Sequence, residues 1–199
     1  SSFNLYYLLQ NPHPSQAAQV EIRYLRPAPL PPIVKTYAVA PSSRRTIYVN
    51  AEDPGLDEAE ISGVVRSTNG IAIIVERAMY TNAGGQLFGA GHESAGIPYL
   101  ATQWFLAEGA TGPFFHMFIL VANPNPQNAP IEVRYLKPDG TVVTRQYVAA
   151  ANSRFTIGVH AEGPELAATP VSATLTSTSG VPVRAFWRMV SSDRMTPET

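Results

Sequence analysis

Cysteine is absent from the 199 residues of the chain. Its absence excludes disulfide bonds, thiolate metal ligands and a cysteine nucleophile. Charged residues make up only 15% of the sequence, and 14 basic against 15 acidic residues leave a net charge of −1. A balance this close gives no electrostatic footprint for nucleic acid or for an anionic membrane surface. The longest apolar run, at 114–122, is interrupted by His116 and is too short to span a bilayer.

Proline and glycine, with 18 and 14 residues, stay below the share of roughly 25–30% that is typical of low-complexity chains. The length suffices for one large domain or for two of about 100 residues, each with its own core. The sequence opens with Ser1, Ser2 and Phe3, without an initiator methionine, a signal peptide or a lipidation motif. We therefore expect a folded, soluble and turn-rich fragment or processed product.

The sequence contains an internal duplication. The stretch VEIRYLRP at 20–27 recurs as IEVRYLKP at 131–138, with five of eight positions identical. The stretch at 40–56 recurs at 150–166 with ten of seventeen positions identical, where chance would give about one. Shorter matches join 10–14 to 122–126 and 61–70 to 171–180, so the two copies follow each other at an offset of 110–112 residues.

Within each copy, apolar and polar residues alternate, as they do in half-buried strands. In the second copy Ile131, Val133 and Tyr135 alternate with Glu132 and Arg134. Seven such runs, separated by turn signals such as Pro-Asp-Gly at 138–140, are typical of a two-sheet sandwich. The runs lie near 101–107, 115–122, 130–136, 141–148, 154–160, 171–177 and 181–189.

The pattern predicts an all-β protein of two tandem immunoglobulin-like antiparallel β-sandwiches. We assign residues 1–80 to the first repeat, 81–100 to a glycine-rich connection and 101–190 to the second repeat. A polar tail follows at 191–199.

Residues with catalytic chemistry do not form a recognisable motif. Ser94 and His92 lie in Gly-His-Glu-Ser-Ala-Gly, which lacks the glycine two residues before the serine and the following helix of a nucleophile elbow. Gly89 and Gly91 lack the strand–helix context of a dinucleotide fingerprint. We predict no catalytic residues and no cofactor, and therefore no enzyme.

Metal chemistry has little support either. The four histidines (His13, His92, His116 and His160) do not show metal-ligand spacing, and alternation places His160 on a solvent face. The acidic cluster Asp53, Asp57, Glu58 and Glu60 aligns with Gly163, Ala167, Ala168 and Pro170 in the second copy. Because the duplicated unit does without these charges, a solvated loop is favoured over a cation site.

Two pairs of aromatic residues could belong either to the core or to a binding surface. Trp104–Phe105 and Phe186–Trp187 stand on predicted strands, where a tryptophan belongs to the core more often than to a sugar-stacking platform. A carbohydrate-binding module would instead expose Trp104 or Trp187 in a shallow groove. Arg184, Phe186 and Arg188 share one strand face, which suits either a partner or local cation–π pairing.

Several motifs carry a family resemblance: ATQWFLAEGAT at 101–111, FILVANPN at 118–125, HAE at 160–162, VERAMY at 75–80 and GHESAG at 91–96. Their set and order resemble a tandem extracellular β-sandwich repeat of large bacterial surface proteins, of the actinobacterial and Chloroflexi type. The resemblance implies an extracellular or cell-surface location and no assigned catalytic residues. The second copy departs from the pattern with AFWRMV at 185–190.

The strand predicted at 101–107 has no counterpart before Phe3. One copy therefore lacks a strand and leaves a sheet edge unpaired, and such edges recruit other strands. We expect a strand from a neighbouring subunit, or from the preceding part of a longer chain, to fill that place.

These observations predict a non-enzymatic extracellular structural or assembly module, such as a surface-array, filament or adhesin spacer subunit. Its expected partners are copies of itself or neighbouring repeats, through sheet edges. The alternative is a carbohydrate-binding module that holds a surface glycan with exposed aromatics. Neither interpretation involves nucleic acid or a membrane span.

Overall fold

The computed structural model describes residues 3–83 and 86–191. In this part of the chain, no helix is long and apolar enough to cross a membrane. The chain divides into two compact units, the first formed by Ser1–Arg26 and Pro32–Pro98 and the second by Pro27–Pro31 and Tyr99–Thr199. Both consist of antiparallel strands, so the prediction of an all-β fold with two sandwiches is confirmed.

The first unit has two sheets, with strand orders β4-β1-β6-β7 and β3-β2-β5. Its strands are β1 (Phe3–Asn11), β2 (Ala18–Leu25), β3 (Ile33–Val39), β4 (Ser43–Tyr48), β5 (Ser62–Ser67), β6 (Ile74–Ala83) and β7 (Gln86–Ala95). The connection predicted at 81–100 thus contains a strand, β7, which pairs with β6.

The second unit also has two sheets, with strand orders β11-β10-β13-β8 and β12-β9-β14. Its strands are β8 (Gln103–Leu106), β9 (Phe115–Asn123), β10 (Ala129–Leu136), β11 (Val142–Ala149), β12 (Ser153–Gly158), β13 (Ser172–Ser177) and β14 (Arg184–Ser191). They lie within a few residues of the seven runs expected from alternation. The tail predicted at 191–199 falls outside the described residues beyond Ser191.

Alternating side chains build the cores between the sheets. In the second unit, Met117, Ile119 and Val121 of one sheet and Ile131 and Val133 of the other belong to one buried cluster. The first unit has a separate cluster, with Leu9 and Ile47 from one sheet and Val20, Ile22 and Val39 from the other. Each unit thus buries its own apolar faces, which is what makes an isolated sandwich stable.

The outer strands distinguish the second unit from an immunoglobulin domain. There, the first strand pairs with the second and the last with the sixth. Here the first strand, β8, pairs with the sixth, β13, and the last strand, β14, pairs with the second, β9. The central pairs β9–β12 and β10–β13 keep their usual places.

A buried asparagine anchors the turn after the first core strand of each copy. In the first unit, the Nδ2 atom of Asn11 donates to the carbonyl oxygens of Gln16, Val39 and Ala40 at 2.8, 3.0 and 3.1 Å. In the second unit, Asn123 Nδ2 donates to equivalent carbonyls. Both asparagines are fully buried, so these bonds satisfy backbone groups that water cannot reach.

A tyrosine pair bound to a glutamate also occurs in both copies. The Tyr37 hydroxyl donates to Glu52 at 2.7 Å and lies 3.1 Å from the Tyr24 hydroxyl. The Tyr147 hydroxyl donates to Glu162 at 2.6 Å and lies 3.3 Å from that of Tyr135. Burial raises the pKa of Tyr37 and of Tyr135 to about 12. The duplication thus preserves polar networks that hold the sandwich together.

Candidate functional site: a sheet edge that is covered in one unit only

Strand β8 covers the outer edge of β13 in the second unit. Leu175 pairs with Trp104, and Ala173 pairs with Leu106. The backbone N–H of Ser177 donates to the carbonyl oxygen of Thr102 at 2.7 Å. The segment predicted as a strand at 101–107 therefore belongs to the second unit.

Two inward side chains of β8 close the side of this sandwich. Leu106 is buried in the core, and Trp104 packs against the same cluster. The indole Nε1 of Trp104 donates to the carbonyl oxygen of Val183 at 2.9 Å. Val183 also exchanges two backbone hydrogen bonds with Ala101, at 3.1 and 2.9 Å. The strand therefore connects the rims of both sheets.

The chain continues along the same side after β8. Val171 donates its N–H to the carbonyl oxygen of Gly109 at 2.8 Å. The buried hydroxyl of Thr111 donates to the carbonyl oxygen of Leu166 at 2.6 Å and accepts from the N–H of Thr169 at 3.0 Å. Residues 101–112, which we call the sealing segment, therefore form one continuous cover over β13 and the loop that precedes it.

The equivalent strand of the first unit, β5, has no such cover in the described part of the chain. It pairs with β2 on its inner side and is the last strand of its sheet. The N–H of Thr68 donates to Gln19 as that of Thr178 donates to Pro130, so β5 and β13 have the same orientation. Because backbone groups alternate in direction along a strand, the N–H of Ser67 points to the outer side, as that of Ser177 does. We call this side of β5 the open edge.

The side chains along the open edge are less buried than their counterparts. Leu175 and Val183 are completely buried under the sealing segment, whereas the equivalent Val65 and Ile73 are only partly buried. Gly63 is exposed, and its backbone forms a hydrogen bond with the Tyr7 hydroxyl. The first core is therefore sealed less completely on the side of the open edge.

The side chains considered for catalysis or metal binding lie on a strand or take part in local hydrogen bonds and ion pairs. His92 and Ser94 stand on β7, which remains a strand up to Ala95. The Asp53 carboxylate accepts from the Gly55 N–H at 3.0 Å and forms an ion pair with Lys35 at 3.0 Å. These two contacts hold the pKa of Asp53 below its usual value. Across residues 3–83 and 86–191, no group of three or more acidic or histidine side chains could hold a metal ion.

Sequence reasoning missed a pair of stacked histidines. The rings of His116 and His160 lie 4.1 Å apart between centroids and are nearly parallel. Burial, together with the neighbouring His116, lowers the pKa of His160. His160 was expected on a solvent face; its ring is partly exposed and packs against the rings of His116 and Phe118. It lies in the short 3₁₀ turn Val159–Ala161 after β12, and the antiparallel pairing of β12 with β9 brings it near His116, 44 positions earlier in the chain.

The tryptophans proposed for sugar stacking are not the exposed aromatics. Trp104 and Trp187 both pack against the second core, and their partial burial there argues against a platform at these positions. The Arg188 guanidinium lies over the Phe118 ring at 5.9 Å, which accounts for part of the Arg–Phe–Arg face as local cation–π pairing.

Exposed aromatic rings instead line one face of the first unit. Tyr48, Tyr6, Tyr80 and Phe88 form a row across β4, β1, β6 and β7, with successive ring centroids 5.0, 6.0 and 5.5 Å apart. Tyr48, Tyr80 and Phe88 are exposed to solvent. We call these four residues the aromatic row. A shallow cavity of about 600 Å³ lies on the same sheet, lined by residues that include Leu8, Arg44, Ile74 and Glu76.

No family model and no curated protein matches the sequence. Among solved structures, the chain is similar to the Anabaena sensory rhodopsin transducer, with a TM-score of 0.41 and 17% sequence identity. The alignment covers 50% of this chain and 97% of that chain. A likeness of this degree carries no argument about function.

Proposed function

We propose that the chain is a non-enzymatic structural module of an extracellular assembly, joined to its neighbours by strand addition at the open edge. The observation that carries this proposal is the difference between the two copies: β13 has β8 on its outer side, and β5 has no described partner there. An unpaired edge with partly buried apolar side chains favours pairing with another strand. The resemblance to repeats of bacterial surface proteins supports the extracellular location.

Self-association of the purified chain tests this function. An unpaired edge at high concentration pairs with another such edge, including a second copy of β5. Static light scattering over a concentration series should therefore give a mass that rises above the 21.5 kDa of one chain. A mass that stays at one chain throughout the series would contradict assembly through copies of this module.

Two substitutions at one position connect the association to the open edge. Ser67→Pro removes an N–H that points outward and leaves the hydrogen bonds to β2 in place, so association should weaken. Ser67→Ala keeps the N–H and should associate like the unchanged chain. Equal association of both variants would show that the copies meet at another surface.

The aromatic row favours a second candidate function, the binding of a surface glycan. The sheet that carries these rings also carries Arg44 and Glu76, which line its shallow cavity. A stacking surface and polar groups on one sheet are a combination that suits sugar rings. Tyr6 and Tyr48 stack on each other, which leaves the outer face of Tyr48 as the surface for a ligand.

Affinity electrophoresis tests the glycan function. Gels that contain hydroxyethyl cellulose, xylan or glycol chitin should retard the chain if one of these polymers binds, and Tyr48→Ala should abolish the retardation. Phe114→Ala removes an exposed ring elsewhere and is the matched control. Unchanged mobility of the native chain in all three gels would count against this second candidate.

A further inference from the structure

We propose that the first unit is an acceptor for one kind of partner, an extended segment of another polypeptide with the side-chain pattern of the sealing segment. This inference rests on the proposed function and names the partner of its open edge. The duplicated second unit shows which chain segment covers this edge when it is occupied.

The second unit defines the pattern that the partner needs. On β8, Trp104 and Leu106 face the core, while Gln103 and Phe105 face solvent, and Phe105 is 72% exposed. A tryptophan and a leucine two positions apart therefore fill the space above Leu175 and Ala173. Applied to the first unit, the same register places the partner's tryptophan opposite Val65 and its leucine opposite Gly63. At Gly63 the Tyr7 ring occupies the place of the Ala173 side chain, so the partner's leucine packs against Tyr7.

Backbone groups of the first unit are arranged to receive this segment. The Ser67 N–H corresponds to that of Ser177, which donates to the segment at Thr102. The Leu56 carbonyl corresponds to that of Leu166, which accepts from the Thr111 hydroxyl; it already accepts from the Ala59 N–H at 3.4 Å and has a second lone pair for a partner. The partner should therefore present an accepting carbonyl two residues before its tryptophan and a threonine seven residues after it.

One position of the pattern has different neighbours in the first unit. In the second unit a side chain at Gly109 would meet Trp187 and Met117. The equivalent residues in the first unit are Arg77 and Leu5. The residue that the partner presents at this position therefore has to fit Arg77 and Leu5 instead of Trp187 and Met117.

A second copy of this chain is not the partner we infer. Its own sealing segment already pairs with β13, so lending that segment to β5 would open one edge for each edge that it closes. Such an exchange yields no net strand pairing. A segment that is not already paired gains the hydrogen bonds at Val65 and Ser67 and covers Val65 and Ile73, while the Gly63 backbone keeps its hydrogen bond to the Tyr7 hydroxyl.

The test uses the full chain and a blocked peptide with the sequence of residues 100–112, LATQWFLAEGATG. Hydrogen exchange read by mass spectrometry should show protection of the β5 amides at Val65 and Ser67. At a peptide concentration of 100 times Kd, exchange at these amides should slow by about 100-fold. The same addition should dissolve the self-association of the chain, because both depend on the open edge.

Two controls define the specificity of the binding. A peptide with alanine in place of the tryptophan should bind at least about tenfold more weakly, since it leaves Val65 uncovered. The Ser67→Pro variant should lose binding of the native peptide, whereas Ser67→Ala should keep it. Exchange of β13 should stay unchanged throughout.

The outcomes separate this inference from the proposed function. Absence of binding, or binding that protects no β5 amide, overturns the inference even if the chain associates through Ser67. Faster exchange of β13 as the chain concentration rises, with slower exchange of β5, identifies a second copy as the donor and also overturns it. Peptide binding by a chain that stays monomeric supports the inference while the assembly function fails.

Discussion

Asn123 is a single residue on which several backbone groups depend. Its Nδ2 atom donates to the carbonyls of Gln127 and Ala149 at 2.7 and 2.9 Å, while its Oδ1 atom accepts from the Asn125 N–H at 3.1 Å. An aspartate has nearly the same shape but cannot donate to carbonyl oxygens. The identity of the side chain therefore matters more here than its volume.

We expect Asn123→Asp to lower the free energy of unfolding of the second unit by about 2–4 kcal/mol, because the buried Ala149 carbonyl and the partly buried Gln127 carbonyl lose their donor. Urea unfolding followed by far-UV circular dichroism measures this change. Asn128→Asp is the matched control, since Asn128 uses its Oδ1 atom as an acceptor from Ala151 and an aspartate retains that bond. Equal effects of the two substitutions would contradict the assigned role of Asn123.

The histidine pair predicts how the stability of the second unit depends on pH. Burial and the neighbouring His116 lower the pKa of His160, so the folded state binds protons less readily than the unfolded chain does. Stability from this pair is therefore complete above the ordinary histidine pKa of 6.5 and is lost as the pH falls through the lowered value. Unfolding midpoints in urea should decrease from pH 7 to pH 5.

The first copy suggests the variant that removes this dependence. Asn50, the equivalent of His160, accepts from the Leu5 N–H at 2.9 Å and does not titrate. His160→Asn should flatten the decrease between pH 7 and pH 5, whereas His13→Asn, in a loop of the first unit, should leave the second unit's decrease unchanged. An undiminished decrease in the His160→Asn variant would assign the pH effect to other groups.

At the scale of the element, the attachment of the short strand β8 to the second sandwich depends mainly on one side chain, that of Trp104. The strand spans four residues, and its tryptophan contacts the core and a backbone carbonyl of the opposite rim. We expect Trp104→Ala to release β8, with a loss of about 3–5 kcal/mol that is typical of large aromatic truncations. Hydrogen exchange at Ser177, whose N–H bonds to Thr102, reports the release directly.

Phe105→Ala provides the matched control on the same strand. This ring is 72% exposed and points away from the core, so its removal should change the stability by less than about 0.5 kcal/mol. If both substitutions left exchange at Ser177 unchanged, backbone pairing alone would hold β8 in place.

The strands could be predicted from the sequence because their alternation is regular and turn residues separate them. The run at 131–135 shows this well, since Ile131, Val133 and Tyr135 are all completely buried. The Pro-Asp-Gly turn was equally readable: Gly140 has a φ of 83°, where other residues are strained. Pairing between distant strands is a property of the folded chain, which is why alternation did not show that β8 pairs with β13.

The exposed site features were harder to predict than the core. The aromatic row joins Tyr6 to Tyr48 and Tyr80, residues that no local pattern connects. Their contacts follow from the register of β1 against β4 and β6, which places Tyr6 opposite Tyr48. From the sequence, the two tryptophans were the candidates for sugar stacking. In the fold both pack against the second core, and tyrosines of the first unit lie at the surface instead.

At the scale of the whole molecule, the two units have separate cores of unequal closure. Val65 and Ile73 are partly exposed in the first unit, where Leu175 and Val183 are completely buried in the second. We therefore expect two steps in unfolding, with the first unit opening at the lower urea concentration. Hydrogen exchange under native conditions should be faster in β2 than in the equivalent β10.

Asn123→Asp checks the independence of the two steps. It should move only the second step to lower urea and leave the exchange of β2 unchanged, because Asn123 belongs to the second core. A single step shared by all amides would show that the units unfold together.

The position of the sealing segment also affects how a sandwich forms during translation. β8 ends at Leu106 and its partner strand β13 begins only at Ser172, so the ribosome releases the segment long before its binding surface exists. Until then Trp104 and Leu106 remain uncovered in the nascent chain. When β8 pairs with β13, the residues between the two strands, which are most of the unit, form the closed loop. Before that pairing, an already folded first unit also offers an unpaired strand edge, that of β5. During synthesis, the edges of β5 and β13 therefore compete for the sealing segment, and this competition ends once the second sandwich is complete.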